Sequence, residues 1–217
     1  MGARQAASEE TRGRIVAAAR EILSAAGGID AFTIDAVAAQ AGVARMTVYY
    51  QFGSKTGLIE AVFDSLEIVR TGVPRLAAAL GLDDAAAALA EFVSVVAEAW
   101  QADRLVIRRL QGLAALDPAF ASVWHAREGR RREGLRQIAS RVAASRPDAS
   151  LDVDAATAAL FAIVSPEGFE AMAGGERSFD AVAPVAHQLA GKALGLDGGE
   201  PVRFRRAARA RRPRARP

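Results

Sequence analysis

Between Phe32 and Leu58 the chain reads Phe-Thr-Ile-Asp-Ala-Val-Ala-Ala-Gln-Ala-Gly-Val-Ala-Arg-Met-Thr-Val-Tyr-Tyr-Gln-Phe-Gly-Ser-Lys-Thr-Gly-Leu. If residues from about Arg45 to Phe52 are helical, Val48 and Phe52 turn to one side. Arg45, Met46, Thr47 and Tyr50 then lie on the other, with Tyr49 beside them. A guanidinium, two phenols and a hydroxyl on one outward face can hydrogen-bond base edges and grip phosphates. Ser54 suits an N-cap, with Lys55 first in the helix it opens. Free amides, the positive end of a helix dipole and an ammonium then converge on one spot that favours a phosphate oxygen.

These side chains need two helices to hold them. Thr33 can cap a short helix, and Asp35 in its first turn suits the dipole. Ile34, Val37, Ala38 and Ala41 recur at helical spacing as its buried face. Gly42 supplies the turn, where a left-handed backbone costs glycine little, and Val43 plugs the space behind it. Two short helices about a glycine turn, followed by a third helix start, are the layout of a helix-turn-helix. Such a unit places its second helix in the DNA major groove. An ordinary helical hairpin shares the bare glycine turn. DNA binding is favoured because the turn, the Thr-Val-Tyr-Tyr-x-Phe run and the Ser-Lys pair occur in register.

From about Thr11 to Phe63 the sequence resembles the TetR family of bacterial regulators. The family pattern is a threonine opening the second helix, Ala-x-x-x-Gly-Val, Thr-Leu-Tyr-x-His-Phe and Ser-Lys-x-x-Leu. This chain has Thr33, Ala38, Gly42, Val43, Thr47, Val48, Tyr49, Phe52, Ser54, Lys55 and Leu58 in those places. The resemblance implies that Thr33, Tyr49 and Lys55 contact phosphates, and that Arg45, Met46, Thr47 and Tyr50 face bases or the adjoining backbone. Two positions depart from the pattern. Gln51 stands where histidine is usual, and can still hydrogen-bond a phosphate or a base. Ala44 replaces a capping serine, which removes about 1 kcal/mol from the recognition helix.

Composition narrows the alternatives. The 217 residues are 51% hydrophobic, enough for a small head and a larger helical domain. Without cysteine there is neither a disulfide framework nor thiolate chemistry. His125 and His187 lack metal-ligand spacing, and no metal site or cofactor is expected. No nucleophile–base signature or glycine-rich phosphate loop points to an enzyme. No run approaches the ~18 apolar residues of a membrane span, and the polar start from Met1 to Arg14 is no signal peptide. A cytoplasmic protein is expected. The chain is +3 overall, and Glu200–Pro217 alone is +7, so residues 1–199 stand at −4.

The expected fold is all-α, with about nine helices and no internal repeat. Met1–Ala7 reads as a mobile arm from which Arg4 could reach DNA. Ser8 or Thr11 opens a first helix ending at Gly27-Gly28. Later helices are expected from Lys55 to about Thr71, and from Asp83 or Asp84 to Gln101. Others should run from Asp103 to Leu116, Asp117-Pro118 to Ser145, Asp152 to Ala173 and Ser178 to Leu194. Pro166 and Pro184 should bend the last two or lie near their ends. The domains are then residues 1–54, an arm with the helix-turn-helix head; 55–199, a helical ligand-binding and dimerisation domain; and 200–217, an Arg-rich tail expected to be disordered. Such a tail could add salt-sensitive attraction to DNA, or simply solubilise the chain.

The last two helices are rich in alanine and valine, which lets helices approach closely. The resemblance implies that they pair with those of a second copy, giving a homodimer on a palindromic double-stranded operator. It also implies a central cavity for a small-molecule effector. Phe92, Trp100, Phe120, Trp124, His125 and Phe161 are its candidate walls, though aromatics at helical spacing equally make an ordinary core. Arg127, Arg130, Arg131, Arg132 and Arg136 read as a solvated basic face, with Glu128 and Arg132 a four-apart pair. The function expected is a repressor released by a small, hydrophobic ligand. The alternative is a DNA-binding regulator without such a ligand, working through a protein partner or as an activator.

Overall fold

A computed structural model describes residues 2–147 and 150–203, with nothing specified for the side chains of Ala3 and Arg4. The expectations for Arg4 as a DNA-reaching side chain and for the arginine tail beyond Arg203 lie outside the described residues. Among the described residues there are twelve α-helices and no strand. The head consists of α1 (Ala3–Ser24), the one-turn α2 (Gly28–Ala31), α3 (Ile34–Ala41) and α4 (Arg45–Phe52). The body follows with α5 (Lys55–Asp64), a π turn at Ile68–Gly72, α6 (Val73–Leu80), α7 (Ala85–Ala102) and α8 (Arg104–Leu116). It closes with α9 (Pro118–Ser145), α10 (Val153–Ile163), α11 (Pro166–Ala173) and α12 (Phe179–Ala193).

The first helix starts earlier than its capping residues suggest. Gly2 caps it without a side-chain bond, and Thr11 donates to the Ala7 carbonyl (2.9 Å) inside the helix. Ala, Arg and Gln at positions 3–6 are good helix formers and propagate the helix toward the N-terminus. In place of the mobile arm expected over Met1–Ala7, the chain is therefore helical from Ala3. Ile15, Ala18, Ala19, Ile22 and Leu23 make the buried stripe of α1.

Two expected helices divide. Residues 152–173 break between α10 and α11, because Pro166 has no N–H to donate and steers Ser165 to an extended backbone (ψ 156°). Ser165 then caps α11 by accepting from the Gly168 N–H (2.9 Å). Pro184 lies inside α12. The helix from Lys55 ends at Asp64 for a reason that local sequence does not carry. Arg20 on α1 donates to the Ser65 carbonyl (2.7 Å), and Asp103 accepts from the Glu67 N–H (2.6 Å). Those backbone groups find their partners in distant side chains, and the helix yields to the π turn.

Head and body share one continuous apolar cluster, running from Ile15 through Val48 and Leu58 to Phe92, Trp124 and Leu194. Within the body α12 packs on α7, α10 on α9, and α6 on α7; α1 and α2 rest on α8. Arg104 clamps α8 to α11 by donating to both oxygens of Glu170 (2.9 and 2.6 Å). That hydrogen bonding holds the Glu170 carboxyl below its ordinary pKa despite partial burial.

Candidate nucleic-acid interface and internal cavity

The α3–α4 corner is built as the sequence suggests. Thr33 accepts from the Ala36 N–H (3.1 Å), and Ile34, Val37, Ala38 and Ala41 are buried. Gly42 turns the chain at φ 65°, a left-handed conformation that suits glycine. Ala44 offers no side-chain cap to α4. Val48 is buried, and Phe52 is partly covered by Arg12, whose guanidinium carbon lies 4.3 Å from the ring centroid. Ser54 caps α5 by accepting from the Gly57 N–H (3.0 Å).

Opposite that buried side, α4 presents Met46 at 72% and Tyr50 at 88% exposure, one turn apart. Thr33, Arg45 and Lys55 are also exposed, whereas Thr47, Tyr49 and Gln51 are half-buried. Arg45 donates to both oxygens of Asp35 (3.0 and 2.8 Å) and lies over the Tyr49 ring at 5.7 Å. Tyr49 and then Asp35 raise its pKa above the ordinary value, so it stays charged. Gln51 is turned toward α1. Its side chain donates to Ser8 Oγ (3.0 Å), and its carbonyl accepts from Arg12 (2.8 Å). The Lys55 ammonium sits 5.2 Å from the Phe32 ring centroid, at the N-terminus of α5.

The body holds a cavity of about 260 Å³ whose walls are mostly apolar. Of the six candidate wall residues, Phe92, Trp100 and Trp124 line it. Phe120 is fully buried elsewhere in the core, His125 is exposed, and Phe161 lies behind Arg131 and Arg132. The wall also includes Phe63 of α5, Ile68 and Val69 of the π turn, and Val73 and Leu76 of α6. Phe63 and Trp124 meet edge to face at 5.5 Å, and Arg127 pairs with Asp64 beside them.

The basic run on α9 is not a uniform solvated face. Arg130, Arg132 and Arg136 are exposed, but the side chain of Arg127 is only 18% exposed and that of Arg131 only 10%. Both lie on the stripe with Trp124, Gly134 and Ile138, which α9 turns inward between its neighbours. Glu128 lies 3.5 Å from Arg131 instead of forming the expected pair with Arg132. Burial pushes the Arg131 pKa down, opposed by Glu128 and Glu167.

Sequence reading also missed the contacts between head and body. Arg20 pairs with the buried carboxylate of Asp103, which was expected only to open α8. Asp103 makes no capping bond there. Arg109 of α8 donates to the Leu23 carbonyl near the end of α1, and it passes where a Cβ on Gly28 (φ +50°) would stand. An arginine and an aspartate far apart in sequence give no local signal of such pairing.

Residues 15–62 match the model of the family described as bacterial regulatory proteins, tetR family. That match makes residues 15–62 a TetR-type DNA-binding head. The TetR-type head is 47% identical over 60 residues to the HTH-type transcriptional regulator SrpR of Pseudomonas putida, covering 28% of either chain. It is 46% identical over 65 residues to the uncharacterized HTH-type transcriptional regulator TtgW, also of Pseudomonas putida, covering 29% of this chain and 48% of that one. The matches thus span less than half the length of these curated relatives. Over the whole TetR-type fold, the regulator PfmR of Thermus thermophilus superposes with TM-score 0.63 at 24% identity, covering 82% of this chain and 96% of that one. A TetR-like regulator from a Rhodococcus species gives 0.56 at 25% identity, covering 87% and 97%. Among the described residues no helix is long and apolar enough to cross a membrane, and no cluster of His, Asp and Glu is placed to hold a metal ion.

Proposed function

We propose that this TetR-type chain is a cytoplasmic, ligand-responsive repressor that binds a palindromic operator as a homodimer. The observation that carries the proposal is the position of the cavity. It is walled by Phe63, Ile68 and Val69, which lie on α5 and the π turn leading directly out of the head. A molecule seated there pushes on the segment that also carries Ser65 and Glu67, and hence on Arg20 of α1 and on Asp103. The effector releases DNA only by binding the non-operator arrangement more tightly than the operator-bound one.

On the DNA side, Met46, Thr47 and Tyr50 of α4 face base edges and the adjoining backbone. Arg45 joins them by exchanging Asp35 for a base or a phosphate. Thr33, Tyr49 and Lys55 grip phosphates, and Gln51 reaches the backbone once released from Ser8. Dimerisation runs through the last two helices expected from sequence, the first of which is divided into α10 and α11 and the second of which is α12. Val185 and Leu189, one turn apart on α12 and 47% and 43% exposed, support this as an apolar strip left for a second copy.

The combined variant Tyr49→Phe, Lys55→Ala tests the DNA half. Tyr49→Phe gives up only a long contact from Arg45 (3.5 Å) and Lys55→Ala only the ammonium over the Phe32 ring, so thermal unfolding should change little and dimer mass not at all. Operator affinity is expected to fall about 30-fold or more, with a shallower salt dependence. Wild-type affinity in this variant would remove the phosphate assignment.

A further inference from the structure

We propose that the cavity takes an amphipathic organic anion, a mostly apolar molecule with one carboxylate, held by Arg131. The proposal rests on the reading of the cavity as the effector site and adds the chemical class of the effector. A guanidinium in an apolar wall is costly unless its donors are satisfied. Arg131 is nine-tenths buried, yet its Nε and Nη2 have no hydrogen-bond partner among the described residues. These two nitrogens form one edge of the guanidinium, with parallel N–H groups matched to the two oxygens of a carboxylate.

No acceptor among the described residues satisfies that edge. The Glu128 carboxylate lies 3.5 Å from Nη2, too far for a good hydrogen bond, and neither Nη2 nor Nε has an acceptor among the described residues. Phe161 lies against the guanidinium at 4.4 Å and Trp100 at 5.6 Å, which orients its plane without using its N–H groups. Phe63, Val69, Leu76 and Phe92 supply hydrocarbon suited to an alkyl or aryl tail, while the other charged lining residues, Arg127, Glu128 and Arg130, all lie on α9 with Arg131. Exposed Arg130 and Val73, the latter 54% exposed, mark where the cavity meets the surface. The basic side chain at that edge would draw an anion toward it.

The two tryptophans of the chain both line the cavity, so intrinsic fluorescence reports occupancy. Octanoate and decanoate, 1-octanol and octylamine are titrated into the full-length protein. One of the acids is expected to bind at least about tenfold tighter than the alcohol, with the amine weakest. Arg131→Met should weaken the acid about tenfold or more and leave the alcohol nearly unchanged. If that variant fails to fold by circular dichroism, Arg131→Gln makes the same comparison. Absence of binding by either acid, alcohol or amine binding as tightly as the acids, or unaltered acid affinity in the variant would each overturn the proposal. Operator binding separates the two readings. An acid held through Arg131 that leaves operator bound overturns the effector role but not the anion site. An alcohol that binds equally well and releases operator overturns the anion site but not the effector role.

Discussion

Asp103→Ala is expected to lower stability by about 2–3 kcal/mol and the thermal midpoint by about 5–10 °C. Its carboxylate is 2% exposed and holds both Arg20 and the Glu67 N–H. Removing it leaves the Arg20 Nη2 and the Glu67 N–H without their acceptor, while Arg20 Nη1 keeps the Ser65 carbonyl. The figure lies below that of a fully buried pair because the Arg20 side chain is 30% exposed and keeps some water. Asp103→Asn, which retains an acceptor for Glu67, should lose less. A second effect follows from geometry. Asp103 ties α1 of the head to the segment beside the cavity, so on the proposed effector mechanism the factor by which a bound molecule lowers operator affinity should shrink toward one in Asp103→Ala. Calorimetry and operator binding with and without effector read the two effects. A wild-type melt with wild-type release would show that the Arg20–Asp103 contact neither stabilises nor transmits.

Gly57→Ala is expected to destabilise the head by about 2–4 kcal/mol and to weaken operator binding more than about tenfold. A Cβ at Gly57 would stand 2.1 Å from the Phe52 carbonyl oxygen. That oxygen is backbone at the end of α4, so relief must come from moving α4 against α5, and with it the outward side chains of α4. Gly13→Ala is the control. Gly13 lies in α1, exposed, with nothing within 4 Å of an added Cβ. There the same substitution should add about 0.5–1 kcal/mol through helix propensity. Opposite signs in the two melts confirm the argument; a neutral Gly57→Ala would show that α4 and α5 part freely.

The α3–α4 corner was legible in sequence because local chemistry dictates it. Thr33 caps within three residues, Gly42 takes the left-handed turn, and Ile34, Val37, Ala38 and Ala41 share one helical face. The division at Pro166 was half-legible, since proline announces a bend but not a restart. The break after Asp64 was hidden, because the groups that cause it, Arg20 and Asp103, sit 45 and 36 residues from Ser65 and Glu67. The cavity was legible only in its aromatics. Trp100 and Trp124 were candidates by type, while Arg131 passed as one arginine in a charged run. Only the packing of α9 between its neighbours turns that residue inward, and its i−4 and i+3 companions Arg127 and Gly134 give a weak pattern of charge and glycine rather than the usual apolar stripe. The extension of α1 to Ala3 shows the reverse error: Ser8 and Thr11 looked like caps, but residues 3–6 already favour helix.

The central claim is that α4 reads a specific palindrome. Its most direct test is to select bound fragments of the source genome with the purified full-length protein at moderate salt and sequence them, beside Tyr49→Phe, Lys55→Ala. The account predicts one enriched palindrome for the wild-type protein, lost or strongly depleted in the variant. Fragments recovered without a shared palindrome, or equally by both proteins, would contradict it.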